Sequence, residues 1–239
     1  FEPAHHWIDL VGDETFHRSG QRRDILGKRK IHIQTAFFIP EPNQSNIGRS
    51  AKRRWQETLS DSLTSVEDLA ARIPDGAKLA LAPDYSGCSM VTIRALIARG
   101  VRDLHVVGVP SVGFQGDMLV GAGCVATLET AAVTLEEYGP APRFTAAIKA
   151  GTLRIIDGTC PAIHSGLQAA EKGIPFMPVR GIVGSDLLTH RDDWTTGTDP
   201  FGEEDGPIVM VKAIRPDFTL IHAPLADRHG NVWIGVRRE

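Results

Sequence analysis

The sequence predicts an α/β domain built on an open, mostly parallel sheet with flanking helices. Two observations carry that prediction. From Thr64 onward, apolar runs of strand length alternate with longer runs whose apolar residues recur at helical spacing. Each helical run closes on a glycine or a Pro/Gly turn before the next apolar run begins. Alternation of this kind builds βαβ units, whose right-handed crossovers lay helices over a parallel sheet.

The elements follow in order. "TSVEDLAARI" sets Thr64 and Glu67 at capping-box spacing, then Val66, Leu69, Ala70 and Ile73 on one helical face. "PDG" at 74–76 is a turn, and "AKLALA" at 77–82 a strand. The loop "PDYSGCS" at 83–89 leads into a helix, "MVTIRALIARG", and the strand "DLHVVGV" at 103–109 completes a parallel βαβ unit. "CVATLE" at 124–129 reads as a short strand, "RFTAAIKAG" at 143–151 as a helix and "TLRIID" at 152–157 as a strand. "PAIHSGLQAAEKG" at 161–173 is a helix with Pro161 in its first turn and Gly173 just past its end. Strands are expected at 207–214, 218–223 and 231–236, the last two joined by the turn-rich "PLADRHG".

The first 54 residues differ from the rest. They hold ten of the 26 Lys+Arg against six acids, a net of about +4, while the remainder is about −7. They show no sustained helical or alternating pattern and contain the loop-like "PEPNQSN". A basic arm for nucleic acid is one reading of that excess; a weakly ordered extension is the plainer one and is preferred. The whole chain of 239 residues carries a net charge of −3, which gives no general pull toward nucleic acid or a membrane surface. No apolar run approaches the roughly 20 residues of a spanning helix. Three cysteines, an odd and low number, suit reduced thiols in the cytoplasm.

In open sheets of this class ligands meet the loops beyond the carboxyl ends of the strands, here 83–89, 109–117 and 178–190. "PDYSGCS" matches neither common nucleotide-loop pattern. Ser86 and Gly87 could still approach a ligand, and Cys88 could be a nucleophile, although no base for it is visible. "RDDW" at 191–194 and the trio His222, Asp227 and His229 have metal-ligand character, against which "ADRHGN" reads as a tight turn; no metal is expected. Glu136–Glu137 and Glu203–Glu204 are neighbours in sequence and so do not share a face. "RGIVGSD" combines Arg180, Gly181, Gly184, Ser185 and Asp186. Its glycines allow close backbone approach, and its N–H groups could line an oxyanion or anion site.

The run "IHSGLQAAEKGIPFMPVRGIVGSDLL" resembles the α-type (A-type) subunit of family I CoA-transferases of the glutaconate and 3-oxoacid kind. "SVEDLAARIPDGAKLALA", "ALIARGVRDLHVVGV", "EEYGPAPRFTAAIKAGTLRIID" and "VMVKAIRPDFTLIHAPLADRHGNVWIG" follow in that family's order. The resemblance implies the CoA-transferase type of α/β fold and a partner β-subunit. It implies transfer of CoA between carboxylic acids through a glutamyl-CoA thioester on that partner. Acyl-CoA and a carboxylic acid are then the substrates, and no cofactor is held permanently. No catalytic nucleophile is expected in this chain, so Ser185 and Asp186 are demoted. Residues 180–186 become an expected pocket wall with oxyanion donors, and Ser86 and Gly87 a further ligand loop. The α-subunits of a steroid-degradation hydrolase branch are similar as well, so ring-opening thioester hydrolysis is an alternative. A non-catalytic effector-binding domain of the same sheet class is a third. "APDYSGCS" departs from the family's more glycine-rich loop. Residues 1–60 carry none of the resemblance and are expected to be a weakly ordered or non-native extension. Residues 61–239 are then the domain, expected to be truncated at its carboxyl end.

Overall fold

The computed structural model describes residues 35–37, 64–202, 206–223, 225–226 and 232–233. Strand β1 (Thr35–Phe37) precedes helix α1 (Val66–Ala71), β2 (Lys78–Leu81), α2 (Met90–Arg99) and β3 (Leu104–Gly108). A two-residue β4 (Ser111–Val112) and α3 (Phe114–Gly121) come next, then β5 (Val125–Thr130) and β6 (Ala132–Val133). After a 3₁₀ turn come α4 (Pro142–Ala150), β7 (Arg154–Asp157), α5 (Cys160–Glu171) and β8 (Phe176–Val179). The described chain continues through α6 (Leu187–His190), β9 (Trp194–Thr198), β10 (Pro207–Lys212) and β11 (Phe218–His222), and finishes with the short pair β12 (Leu225–Ala226) and β13 (Val232–Trp233).

The open parallel sheet is present. Its strand order is β11-β2-β3-β5-β7, every neighbour parallel, with β1 antiparallel on the outer edge of β11. One face carries Leu79, Leu81, Leu104, Val106 and Leu128, all buried against Ile73, Ile93, Leu96 and Leu119. On the other face Ala80 and Val107 meet Ile163 of α5 and Ile214. The alternation of side chains along each strand thus separates two helical layers.

Local signals placed the helices well, with one shift. The N-cap of α1 is Ser65 and not Thr64: its hydroxyl accepts from the Asp68 N–H at 3.0 Å, and the helix closes at Ala71. At α5 the Thr159 hydroxyl accepts from the Ala162 N–H, with Pro161 in the first turn as expected. The stretch 114–121, for which the sequence predicts no element, is α3. Its buried positions include Gln115 and Asp117, so the apolar periodicity that marks a helix is missing there.

The strand expected at 207–214 is found at 207–212, but outside the parallel sheet. It is the centre of a separate antiparallel sheet, β8-β10-β9. That sheet forms a lobe with its own core of Ala162, Ile182, Trp194, Val209 and Val211. No described helix is long and apolar enough to cross a membrane.

Candidate functional site

At the carboxyl end of β2 the chain turns through Pro83–Ser89. Asp84 fixes that loop: its carboxylate accepts a hydrogen bond from the Phe114 N–H and thereby caps α3. The first turn of α3 is therefore already occupied by a carboxylate of this chain. Gln115 reinforces the tie by donating from Nε2 to the Ala82 carbonyl. Gly113 permits the approach, because a Cβ there would lie 2.7 Å from the Thr134 carbonyl oxygen. On the opposite side the His222 N–H donates to the Gly87 carbonyl at 2.7 Å. Ser86 and Gly87 are half-buried between these two supports.

Cys88 does not have the environment of a nucleophile. Its thiol donates to Asp84 Oδ1 at 3.6 Å. Burial and the adjacent Asp84 charge push it up to about 12, which keeps it protonated at neutral pH. Tyr85, Phe114 and Tyr138 stand exposed around the same edge, the last two in edge-to-face contact at 6.0 Å.

The loop Arg180–Asp186 belongs to the antiparallel lobe. Ile182 is buried in that lobe's core, which anchors the middle of the loop. Arg180 pairs with Asp199 at 3.5 Å. The Val183 and Ser185 N–H groups donate to the Arg180 and Ile182 carbonyls at 3.0 and 3.2 Å, so both are engaged within the loop. The Ser185 hydroxyl accepts from the Leu187 N–H at 3.2 Å. Gly184 is left-handed, with φ of +82°, and nothing lies within 4 Å of where a Cβ would be. Asp186 is exposed at the head of the short α6.

Between this lobe and the main sheet lies a group of charges that sequence reasoning missed. Glu129, on β5, is 2% exposed. Lys78 Nζ donates to its Oε2 at 2.9 Å, and Arg191 Nη2 donates to its Oε1 at 3.0 Å. His105 Nε2 lies 3.1 Å from Oε2 and, with its proton there, is a third donor. Burial alone would raise this carboxyl. The His105 hydrogen bond and the Lys78 and Arg191 charges outweigh it and hold Glu129 at about 2. The parallel register explains the convergence: Lys78 faces His105, and Glu129 lies two residues beyond the His105 partner Thr127, so all three point to one face.

The available signal was polar residues at alternate positions of otherwise apolar strands. In "RDDW", Arg191 and Asp193 form an ion pair, at 2.7 Å from Nε to Oδ1. Among the described residues no cluster of three His, Cys, Asp or Glu side chains is placed to hold a metal ion; Asp227, His229, Glu203 and Glu204 lie outside them.

The coenzyme A transferase family model matches residues 63–235. The chain is 30% identical over 189 residues to the A-type subunit of the 3-oxoadipate CoA-transferase of Pseudomonas knackmussii, covering 76% of this chain and 66% of that one. It is 32% identical over 151 residues to the cholesterol ring-cleaving hydrolase IpdA subunit of Rhodococcus jostii, covering 59% and 49%. Among solved structures, the decarboxylase AibA/AibB superposes with a TM-score of 0.56 at 31% identity, over 64% of this chain and 59% of that one. The glutaconate coenzyme A-transferase of Acidaminococcus fermentans gives 0.56 at 21% identity, over 64% and 53%, a likeness of fold. The chain spans between 39% and 72% of the length of the curated relatives it matches.

Proposed function

The chain belongs to the coenzyme A transferase family, and on that premise we propose that it is the α-subunit of a two-subunit cytoplasmic enzyme that moves CoA between carboxylic acids. The observation that carries this reading is the state of the candidate nucleophiles. Among the described residues, Cys88 is held as a thiol, the Ser185 hydroxyl is engaged by its own turn, and Glu129 on β5 is locked among three basic side chains. Such a chain suits the role of pocket wall and oxyanion donor, and the attacking carboxylate is assigned to the partner β-subunit.

In the proposed reaction a partner glutamate carboxylate attacks the thioester carbonyl of acyl-CoA. The C–S bond breaks, leaving an acyl-glutamyl anhydride and CoA thiolate. The thiolate then attacks the glutamyl carbonyl, releasing the first acid as its carboxylate and leaving glutamyl-CoA. The acceptor acid runs both steps in reverse. Each addition places negative charge on a carbonyl oxygen. The N–H groups of Gly181 and Gly184 are proposed as the donors that meet it, because those of Val183 and Ser185 are already engaged. One such donor contributes about 3 kcal/mol.

The hydrolase reading draws support from the similarity to the ring-cleaving hydrolase subunit. The acceptor separates the two. Co-expressed with its β-subunit, the chain is expected to support CoA exchange that stops when the acceptor acid is omitted. CoA release in the absence of any acceptor acid would favour hydrolysis instead.

A further inference from the structure

Arg191 stands where the two lobes meet, and its side chain is 2% exposed. Its guanidinium uses every edge. Nη2 donates to Glu129 Oε1 at 3.0 Å and to Asp193 Oδ2 at 2.9 Å. Nη1 donates to the Asp157 carbonyl at 3.0 Å, at the carboxyl end of β7. Nε donates to Asp193 Oδ1 at 2.7 Å. The Trp194 ring lies 4.3 Å from the guanidinium carbon. One planar group thus joins β5 and β7 of the main sheet to the turn between α6 and β9, directly after the 180–190 loop.

We propose that Arg191 is a positioning residue: its fork fixes the 180–190 loop against the carboxyl ends of β5 and β7 and so sets where the acyl-CoA pocket wall stands. The consequence for acyl-CoA rests on the transferase reading above; the anchoring itself does not. The geometry calls for a guanidinium in particular. A lysine ammonium keeps the charge but has no flat edge to serve Glu129, Asp157 and Asp193 together, and no plane to lie on Trp194.

The test uses the complex of this chain with its β-subunit, as wild type and Arg191→Lys. Two readouts are taken: amide hydrogen exchange, and steady-state kinetics with the acyl-CoA that the wild-type complex turns over fastest in a panel of 3-oxoacyl and dicarboxylyl thioesters. The expected result is exchange at least tenfold faster across 181–188, with 104–108 unchanged. The KM for acyl-CoA rises about tenfold, and kcat falls with it, because the same loop carries the proposed oxyanion donors. Loss of folded enzyme would instead lower kcat at constant KM. Unchanged exchange at 181–188, exchange that rises equally in β3, or a fall in kcat at constant KM overturns the proposal. If the wild-type complex is inactive on every thioester, the transferase reading fails, and the exchange arm still decides whether Arg191 anchors the loop.

Discussion

Glu129 and Arg191 are 62 positions apart in the chain, yet their side chains meet at 3.0 Å with both almost wholly out of solvent. The pair joins a strand of the parallel sheet to the antiparallel lobe that carries the candidate pocket wall. Charge is expensive to bury, and here every oxygen of the carboxylate is answered by a donor.

Removing Glu129 takes a carboxylate from three basic side chains, although Arg191 keeps its pair with Asp193. Glu129→Gln is therefore expected to destabilise the protein by about 2–3 kcal/mol. Urea denaturation of the variant and wild type measures this. A loss below about 1 kcal/mol would mean that the network is more hydrated than its burial indicates.

The same carboxyl gives a pH dependence with a definite sign. Its folded value is about 2, below the ordinary 4.5, so the unfolded chain binds the extra proton first. The stabilisation is complete above about pH 4.5 and is lost as the pH falls toward 2, about 3 kcal/mol in all. Denaturation midpoints measured across that window should fall steeply in the wild type and more gently in Glu129→Gln.

Cys88 and Cys160 should separate under alkylation. Cys160 is exposed, whereas Cys88 is partly buried and held as a thiol by burial and Asp84. Iodoacetamide at pH 7.5, followed by peptide mass analysis, is expected to label Cys160 and spare Cys88. Cys88→Ala should leave turnover of the αβ complex within about twofold, consistent with an inert thiol.

Much of the fold could be read locally. The strands at 78–81 and 104–108 are apolar runs bounded by turns, and α5 is framed by Thr159, Pro161 and Gly173. What escaped has physical causes. Helix α3 lacks a polar face because Gln115 and Asp117 are buried. Strand β9, "WTTGT", is too polar and glycine-containing to stand out. The loop "RGIVGSD" could be singled out, but which of its N–H groups are engaged depends on how it turns back on itself. The Glu129 network leaves only the weak local signal of polar residues at alternate strand positions: the sheet register brings Lys78, His105 and Glu129 to one face, and Arg191 arrives from the turn between α6 and β9.

Gly184 tests the loop itself. Its φ of +82° is unfavourable for any side chain, while the space around it is open, so a substitution strains the backbone without a clash. Gly184→Val is expected to cost about 1–2 kcal/mol locally. It should lower kcat of the αβ complex by about tenfold or more through displaced donors, with the circular dichroism spectrum retained. Unchanged turnover would remove residues 181–185 from the pocket wall.

In the proposed enzyme this chain shapes the site while its partner carries the covalent intermediate. The αβ complex, incubated with acyl-CoA in the absence of acceptor acid, can be quenched in acid and both of its chains weighed intact by mass spectrometry. The predicted result is an unmodified mass for this chain and a hydroxylamine-sensitive CoA adduct on the β-subunit. A CoA or acyl adduct on this chain would contradict it.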